Sequence, residues 1–508
     1  MLRRIRIVLS VVMLSIVNLL FIGGACGVSH YIAWAAKIQF VPALLALDYA
    51  VLFGLILLTF VFGRIYCSVI CPLGVMQDIF GWLGKKQRHN RYTFSPEKKV
   101  LRYTVAAVFF ICLIIGFAPV TTLLAPYSAY GRMVTALFRP LFDLLQNGLS
   151  ALETGHDSYL FAPVDVWMRS VTTFVVALFT LVIPAILAWR NGRTYCNTVC
   201  PVGTVLSLLS RFSVFRIRLD KDKCRDCSLC EKNCKASAID FKSGTVDASR
   251  CVMCGDCIDV CHFDAVKLCA TLPEVAKSTK SGKQTSYDGI DDNRRAFLAG
   301  GLMAAGSVAM AQTRMKMDGG LAILEDKQAP HRLTLVTPPG SVSAHHLARH
   351  CTACQLCVSA CPNNVLRPAT DPLRFMQPQM SFERGYCRPE CTRCGKVCPT
   401  GAIKPFTKEE KTAIHVGHAV WIAGNCIPVT NGDSCNNCAR HCPAGAITMT
   451  ETSRSNLHVT TAAGLPDIVT VPVIDRERCI GCGACENLCP ARPFSAVYVE
   501  GHEMHHIG

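Results

Sequence analysis

The sequence lacks the short motifs that mark haem, flavin and nicotinamide cofactors. It contains no C-x2-C-H haem-attachment motif and no glycine-rich dinucleotide pattern in a strand-to-helix context. It also lacks a basic stripe interleaved with aromatic residues, which argues against a nucleic-acid interface. The chain therefore offers no catalytic centre of those cofactor classes.

Charged residues are scarce, and they are unevenly placed. Only 17% of the 508 residues are charged, whereas 51% are hydrophobic, and the formal net charge is +16. Much of the basic excess flanks long apolar runs, as expected when Lys and Arg collect on the cytoplasmic side of a membrane. These flanking residues are Arg3, Arg4, Arg6, Lys85, Lys86, Arg88, Arg91, Lys98, Lys99 and Arg102. Membrane orientation explains the charge better than nucleic-acid binding.

Four apolar segments are long enough to cross a hydrocarbon core, which takes about 20 residues. They cover residues 7–22, 41–62, 103–124 and 171–189. The positions of the basic loops predict a four-helix bundle with both ends in the cytoplasm.

Cysteine is abundant, with 31 residues, and nearly all of them occur in quartets rather than in the irregular spacing of a disulfide framework. Two quartets follow the bacterial ferredoxin spacing C-x2-C-x2-C-x3-C, in which three cysteines bind one [4Fe–4S] cluster and the fourth binds its neighbour. The sequence thus predicts one cluster on Cys224, Cys227, Cys230 and Cys261, and another on Cys251, Cys254, Cys257 and Cys234. Interleaved quartets do not suit a closed tetrahedral zinc site.

The distal half contains four more quartets, two regular and two with a longer first gap. The regular ones are Cys351, Cys354, Cys357, Cys361 and Cys479, Cys482, Cys485, Cys489, and the stretched ones are Cys387, Cys391, Cys394, Cys398 and Cys426, Cys435, Cys438, Cys442. Sixteen cysteines predict four further clusters, six in all. The spacing leaves open whether regular motifs pair with each other or with their stretched neighbours.

The composition divides the chain into five parts. We predict a transmembrane domain at 1–211, a two-cluster domain at 212–270, a polar linker at 271–293 and a four-cluster domain at 320–508. Residues 294–311, RRAFLAGGLMAAGSVAMA, favour a twin-arginine export signal, and the alternatives are a small amphiphilic helix or a fifth anchor. Export of a folded domain suits cluster proteins, which acquire iron in a reducing compartment. The final residues 501–508 favour a solvated, disordered end over a metal site.

One motif occurs twice, as GRIYCSVICPLG at 63–74 and GRTYCNTVCPVG at 192–203, each time after an apolar run. Its two cysteine pairs are Cys67 with Cys71 and Cys196 with Cys200. Within a pair the spacing of four puts both thiols on one helix face, and the following proline can end the helix. Three interpretations remain open: an additional iron–sulfur cluster at the membrane surface, a redox-active dithiol relay, or buried small residues. Both pairs are expected on the cytoplasmic side.

Quinol oxidation in the membrane needs a group that accepts protons near an apolar cleft. Asp48 lies at the outer end of the second apolar segment, where burial of an acid is costly, and it is our candidate for a quinol site.

These motifs resemble those of known polyferredoxins. Residues 1–270, with the repeated GR-x-Y-C-x3-C-P-x-G motif, resemble NapH- and MauN-type membrane polyferredoxins, and residues 290–508 are similar to NapG- and MauM-type ferredoxins. The resemblance implies a fusion of the two, a membrane helical bundle with α+β ferredoxin-like domains. It implies a quinol dehydrogenase component of a respiratory chain in the bacterial inner membrane. Electrons would pass from the quinone pool to a periplasmic cytochrome or oxidoreductase.

Two other functions are consistent with the same residues. An assembly factor could use clusters and dithiols to reduce a metal or protein cargo, and a polyferredoxin with all six clusters in the cytoplasm could serve as a relay there. The second requires the arginine pair at 294–295 to be incidental.

Overall fold

The structure is a computed structural model, and it describes residues 2–23, 29–88, 92–153, 164, 166, 168–270, 325–457 and 465–508. The predicted linker and twin-arginine segment lie outside the described residues. The described chain forms a helical N-terminal part and two parts built from short helices and two-stranded antiparallel sheets.

The regular secondary structure of the described N-terminal part consists of helices. Its α-helices are Leu2–Ile22, Ser29–Ile32, Trp34–Lys37, Phe40–Leu45, Tyr49–Phe62, Tyr66–Val69, Pro72–Arg88, Lys99–Ile115, Ala118–Leu124, Pro126–Met133, Arg139–Glu153, Val171–Asn191, Thr194–Thr198 and Pro201–Ser210, with a π-helical turn at Val134–Phe138.

Among the described residues, two helices are long and apolar enough to span a membrane, Leu2–Ile22 and Val171–Asn191. They match the first and fourth predicted spans. The other two predicted spans are not continuous helices. The segment 41–62 breaks where Leu47 adopts a left-handed conformation, and 103–124 breaks at Gly116, whose φ is 84°. Each break leaves a helix of 17 residues or fewer, Tyr49–Phe62 and Lys99–Ile115.

In the first ferredoxin domain, residues 215–270, the first strand, Phe215–Leu219, pairs antiparallel with the last, Val266–Ala270. A second small sheet pairs Ile239–Asp240 with Thr245–Val246. Its helices are Leu229–Lys232 and Asp256–Val260.

The second ferredoxin domain, residues 325–457 and 465–508, has three two-stranded sheets. They pair Leu366–Pro368 with Pro378–Met380, Ile414–Trp421 with Val497–Ile507, and Ile447–Ser453 with Ile468–Ile474. Its helices are Ala344–His350, Leu356–Ala360, Arg393–Val397, Lys408–Ala413, Ile427–Thr430, Asn437–Arg440 and Ala484–Leu488, with 3-10 turns at Ala423–Asn425 and Arg454–Leu457. The expectation of a disordered end was wrong, because residues 501–507 continue a paired strand.

The two ferredoxin domains contact opposite ends of the helix Leu2–Ile22. Near its beginning, Arg3 forms an ion pair with Asp256 of the first domain, at 3.0 Å. Towards its end, Phe21 lies close to the carbonyl of Cys354 of the second domain, and the same helix contacts the helix Leu356–Ala360. Since 21 residues of α-helix extend about 30 Å, the two contacts are separated by roughly the thickness of a hydrocarbon core.

The second domain is seated closely on the helix Pro126–Met133, whose residues are all buried. A Cβ atom on Gly131 would lie 2.4 Å from the carbonyl oxygen of Cys354 and 2.7 Å from Cζ of Phe21. Only glycine leaves room for this approach. One apolar core therefore runs from the helical part into the second domain, and it includes Leu356 and Val397.

Asp78 joins the first ferredoxin domain to the helical part. Its carboxylate lies 2.8 Å from Arg6, 2.7 Å from Arg193 and 2.9 Å from Lys235. Burial alone would raise the pKa of Asp78, but the three cations outweigh it and hold that pKa well below its usual range. The stabilisation is therefore present at neutral pH and is lost only as pH falls through this lowered pKa.

We predict that Asp78→Asn destabilises the chain by about 3–5 kcal/mol, because the buried Arg6 and Arg193 would lose their counter-charge. Lys235 would keep Asp256, at 3.3 Å. The measurement is chemical denaturation of the detergent-purified protein. As a control, Lys223→Ala removes a pair whose side chains are 56% and 44% exposed, with Lys223 and Asp220 3.8 Å apart. A change of no more than about 0.5 kcal/mol is expected there. Equal effects of the two substitutions would contradict the central role of Asp78.

Candidate iron–sulfur sites and a buried four-thiol site

The four regular cysteine loops share one backbone conformation. Two residues after the first cysteine, and again four residues after it, φ is positive. The positions are Asp226 and Ser228, Met253 and Gly255, Ala353 and Gln355, and Gly481 and Gly483. Left-handed residues in a short loop can turn backbone N–H groups to its inside, which suits an anionic iron–sulfur centre.

Backbone N–H groups also point at the cysteine sulfurs. The N–H groups of Ala353, Ala419 and Ala446 donate to Cys351, Cys479 and Cys442 at 3.4, 3.4 and 3.3 Å. Such donors stabilise thiolate rather than thiol, and hydrogen bonds to sulfur tune cluster potentials. The residues present therefore fit iron–sulfur ligation.

In the first domain the thiols of Cys234 and the second quartet lie together. Burial, together with the nearby thiols of Cys254 and Cys234, raises the pKa of the Cys251 thiol to about 12. We call Cys251, Cys254, Cys257 and Cys234 the Cys251 set. Cys234 therefore lies beside the second quartet, and its place on a cluster there stays a prediction.

In the second domain each regular motif lies beside its stretched neighbour. Burial raises the pKa of Cys354 to about 12 with Cys398 nearby, and that of Cys387 to about 11 with Cys361 nearby. Burial likewise raises the pKa of Cys482 to about 12, with Cys442 nearby, and that of Cys438 to about 11, with Cys489 nearby. The four sets are Cys351, Cys354, Cys357, Cys398; Cys387, Cys391, Cys394, Cys361; Cys479, Cys482, Cys485, Cys442; and Cys426, Cys435, Cys438, Cys489.

The sets follow one another through the domain. We name each by its first cysteine. The Cys351 set lies against the helical part through Cys354. The Cys387 set meets the Cys479 set where the N–H of Cys387 donates to the carbonyl of Cys482 at 2.9 Å. The Cys479 and Cys426 sets exchange their fourth cysteines, so the Cys426 set lies at the far end.

Within the described residues, no three His, Cys, Asp or Glu side chains come close enough to share a single metal ion.

The repeated motif has a structural reason at each fixed position. Gly63 and Gly192 end the helices Tyr49–Phe62 and Val171–Asn191 with φ of 66° and 68°. The prolines begin new helices, Pro72–Arg88 and Pro201–Ser210. A Cβ on Gly74 or Gly203 would lie 2.2 or 2.3 Å from the carbonyl oxygen of the first cysteine of the same pair, so glycine is required there. The two cysteines of a pair thus flank a helix junction, whereas we expected one shared helix.

The two cysteine pairs converge. Burial raises the pKa of Cys200, and the thiols of Cys196, Cys71 and Cys67 lie close enough to raise it further. All four side chains are about 95% buried. We call Cys67, Cys71, Cys196 and Cys200 the four-thiol site. It lies inside the helical part, covered by Tyr66 and Tyr195, rather than at an exposed surface.

The arginines of the repeat cross over between the two copies. Arg64 donates from Nη2 to the carbonyl of Cys196 at 3.1 Å, and Arg193 donates from Nη1 to the carbonyl of Cys67 at 2.6 Å. Gln77 adds a hydrogen bond to Cys196 Sγ at 3.2 Å. These reciprocal bonds hold the two repeats as a pseudo-symmetric pair. The GR dipeptide was the available sequence signal for these arginines.

Asp48 lies away from these cysteines. Its Oδ1 accepts from the N–H of Val51 at 3.2 Å and so caps the helix Tyr49–Phe62. The repeat begins at the other end of that 14-residue helix, about 20 Å away. Its role at a quinol site stays a prediction.

Family comparisons agree with this division. A family described as "4Fe-4S binding domain" matches residues 48–90 and 173–220, and one described as "4Fe-4S dicluster domain" matches residues 350–427 and 433–492. The first match contains the two halves of the four-thiol site, and the second contains the four distal sets.

The chain is also similar to curated proteins. It is 30% identical to the methylamine utilization ferredoxin-type protein MauM of Methylophilus methylotrophus over 176 residues, 34% of this chain and 72% of MauM. It is 28% identical to MauN of Paracoccus denitrificans over 217 residues, 42% of this chain and 62% of MauN. It is 27% identical to the ferredoxin-type protein NapH of Escherichia coli K12 over 249 residues, 47% of this chain and 72% of NapH.

Fold, cysteine loops and these matches define an iron–sulfur electron-transfer protein of the ferredoxin type. Within that class, the chain belongs to the polyferredoxin family of which MauM, MauN and NapH are ferredoxin-type members.

The neighbouring thiols predict which substitutions act on the same cluster. Cys398→Ser should alter the EPR signal that Cys354→Ser alters, and Cys361→Ser should alter the signal that Cys391→Ser alters, because each pair belongs to one set. The measurement is a redox titration of the four variants followed by EPR. The pairing would be refuted if Cys398→Ser and Cys391→Ser changed the same signal.

Proposed function

We propose that this protein is a membrane-bound quinol dehydrogenase component that delivers electrons through six [4Fe–4S] clusters to a periplasmic oxidoreductase or cytochrome. One observation carries the proposal: the two ferredoxin domains contact opposite ends of a membrane-length helix. A protein built for transfer on one side of a membrane has no need of that arrangement.

The proposed orientation places the first ferredoxin domain in the cytoplasm and the second in the periplasm. The basic residues at the beginning of Leu2–Ile22 support it, because positive charge favours the cytoplasmic side. The twin-arginine resemblance of residues 294–311 supports export of the second domain. The basic and apolar pattern of the divided segments supports a four-span bundle in which two spans contain a break.

The six proposed clusters would lie on the sets described above, with Cys224, Cys227, Cys230 and Cys261 completing the first domain. Burial raises the pKa of Cys230 to about 11, and the adjacent thiols of Cys224 and Cys227 contribute. When bound, each cluster supplies a one-electron carrier. The loops would hold it and donate backbone hydrogen bonds to the cysteine sulfurs, as the N–H groups of Ala353, Ala419 and Ala446 do.

We further propose that the four-thiol site holds an additional iron–sulfur cluster. The match of both repeats to a family described as "4Fe-4S binding domain" supports this interpretation over a dithiol relay or simple packing. So does the presence of Arg64, a buried cation 3.9 Å from Cys67 Sγ, because a cation stabilises thiolates and disfavours neutral thiols.

Quinol oxidation releases two electrons and two protons. In our proposal the electrons would enter one-electron carriers one at a time. Asp48, half-buried in the apolar region, would receive one proton, and the other would pass to the aqueous phase. The structure supports this role only through position, at the beginning of Tyr49–Phe62.

Reduction by quinol tests the proposed function. In proteoliposomes, a reduced short-chain quinone should reduce the clusters, seen as loss of their visible absorbance and gain of EPR signals. We expect Asp48→Asn to slow quinol-dependent reduction at least about tenfold, because a proton acceptor is lost, while dithionite still reduces the clusters fully. If dithionite reduces the clusters of the unaltered protein and no quinol does, the quinol proposal fails.

Iron content tests the additional cluster. Cys67→Ser and Cys200→Ser should each lower the iron bound per chain by about one cluster, roughly four atoms for a cubane. Cys112→Ser is the control, because Cys112 lies in the helix Lys99–Ile115 and belongs to none of the cysteine motifs described above. Unchanged iron in all three variants would exclude the cluster, and a disulfide found by mass spectrometry after mild oxidation would then favour a dithiol relay.

A further inference from the structure

Two arginines are wholly buried at the borders of the four-thiol site. Arg64 and Arg132 are both 0% exposed, and among the described residues neither forms an ion pair with a carboxylate. A buried guanidinium without a counter-charge costs several kcal/mol. Something anionic is therefore expected beside each of them.

Other buried arginines in this part of the fold have carboxylate partners. Arg102, also buried, lies 2.8 Å from Glu97, and Arg193 lies 2.7 Å from Asp78. The chain thus pairs a buried arginine with an acid elsewhere, which makes the two exceptions informative.

Arg132 lies between the four-thiol site and the second ferredoxin domain. Its Nη1 donates to the carbonyl of Thr122 at 2.7 Å, whereas Nε and Nη2 find no acceptor in the described chain. Tyr195 lies near it on one side and Cys354 on the other. Although burial lowers the pKa of Arg132 to about 10, the guanidinium remains protonated at neutral pH. Tyr195 in turn covers Cys200 and Cys196.

Arg64 occupies the corresponding position towards the first ferredoxin domain. It donates to Asn197 Oδ1 at 2.7 Å and to the carbonyl of Ser249 at 3.2 Å, two residues before Cys251. Its charge acts on Cys251 on one side and on Cys196 on the other. Each arginine therefore lies between two groups of thiols.

Aromatic rings connect the same groups. Tyr127 is 1% exposed, its hydroxyl has no partner in the described chain, and it lies near Cys354, Cys398 and Tyr66. Tyr66 in turn lies near Cys71 and Cys67. Tyr127 and Tyr66 therefore link the Cys351 set to the four-thiol site.

We propose that Arg64 and Arg132 are counter-charges for successive metal–thiolate centres. Arg64 serves the Cys251 set and the four-thiol site, and Arg132 serves the four-thiol site and the Cys351 set. This arrangement forms one electron path across the bundle from the first ferredoxin domain to the second. It rests on the proposed cluster at the four-thiol site. A cluster with four thiolates is anionic and gains one negative charge on reduction, so a fixed cation in a low-dielectric interior favours the reduced form.

The test is a redox titration of the full-length protein in detergent, followed by EPR. The signal of the Cys351 set is identified as the one that Cys354→Ser alters. Arg132→Met should lower the equilibrium constant for its reduction about tenfold, a fall of about 59 mV for a one-electron couple. Arg132→Lys should restore most of it. Arg64→Met should act in the same way on the signal that Cys254→Ser alters.

The control is Arg102→Met, which removes a buried arginine that already has a carboxylate partner and should leave both potentials unchanged. If Arg132→Met keeps full iron content and its potentials do not move, the proposal is overturned. If Arg132→Met does not assemble its clusters, Arg132→Lys and Arg132→Gln test the proposal. Loss of the charge in Arg132→Gln should lower the potential of the Cys351 set, whereas Arg132→Lys, which keeps the charge, should not. If Cys200→Ser leaves the iron content unchanged, the proposed cluster at the four-thiol site is overturned. The potential of the Cys351 set in Arg132→Met then tests the role of Arg132 at that set alone.

Discussion

The fold depends on keeping ionised groups inside a poorly polarisable interior. Cysteine thiols, a carboxylate and several guanidinium groups are buried within the helical part and at its borders, where each unpaired charge is costly. Asp78 meets three cations, and the repeat arginines reach across to the opposite copy. The two repeats, the first ferredoxin domain and the helix Leu2–Ile22 are held in place by these contacts, and the apolar core fills the remaining space.

Much of the cysteine architecture could be predicted from spacing alone. A C-x2-C-x2-C loop is too short for many conformations, and the structure gives the same left-handed positions in all four regular copies, such as Ala353 and Gln355. The convergence of the two cysteine pairs followed from the repetition of an entire motif, including its glycines. These features depend on the conformation of short segments, which residue spacing and glycine positions in the sequence restrict.

The parts that spacing could not predict are set by distant contacts. The pairing of Cys354 with Cys398 depends on how two loops 40 or more residues apart close on each other, and the spacing rule allowed either partner. The break at Leu47 occurs within an uninterrupted apolar run, where hydropathy predicts one helix. Arg132 carried no signal beyond being a single basic residue among apolar ones, because its significance comes from Cys354, more than 200 positions away in the chain.

The close contact between Gly131 and Cys354 gives the covalent connection between the two halves a specific role. An interface with no room for a side chain at Gly131 tolerates little misalignment. Between separate chains, such an interface would form only when both were present at sufficient concentration. Joining the halves in one polypeptide turns that encounter into an intramolecular event with an effective concentration in the millimolar range. A modest interface can then stay closed almost permanently, and the stoichiometry of the two halves is fixed at synthesis.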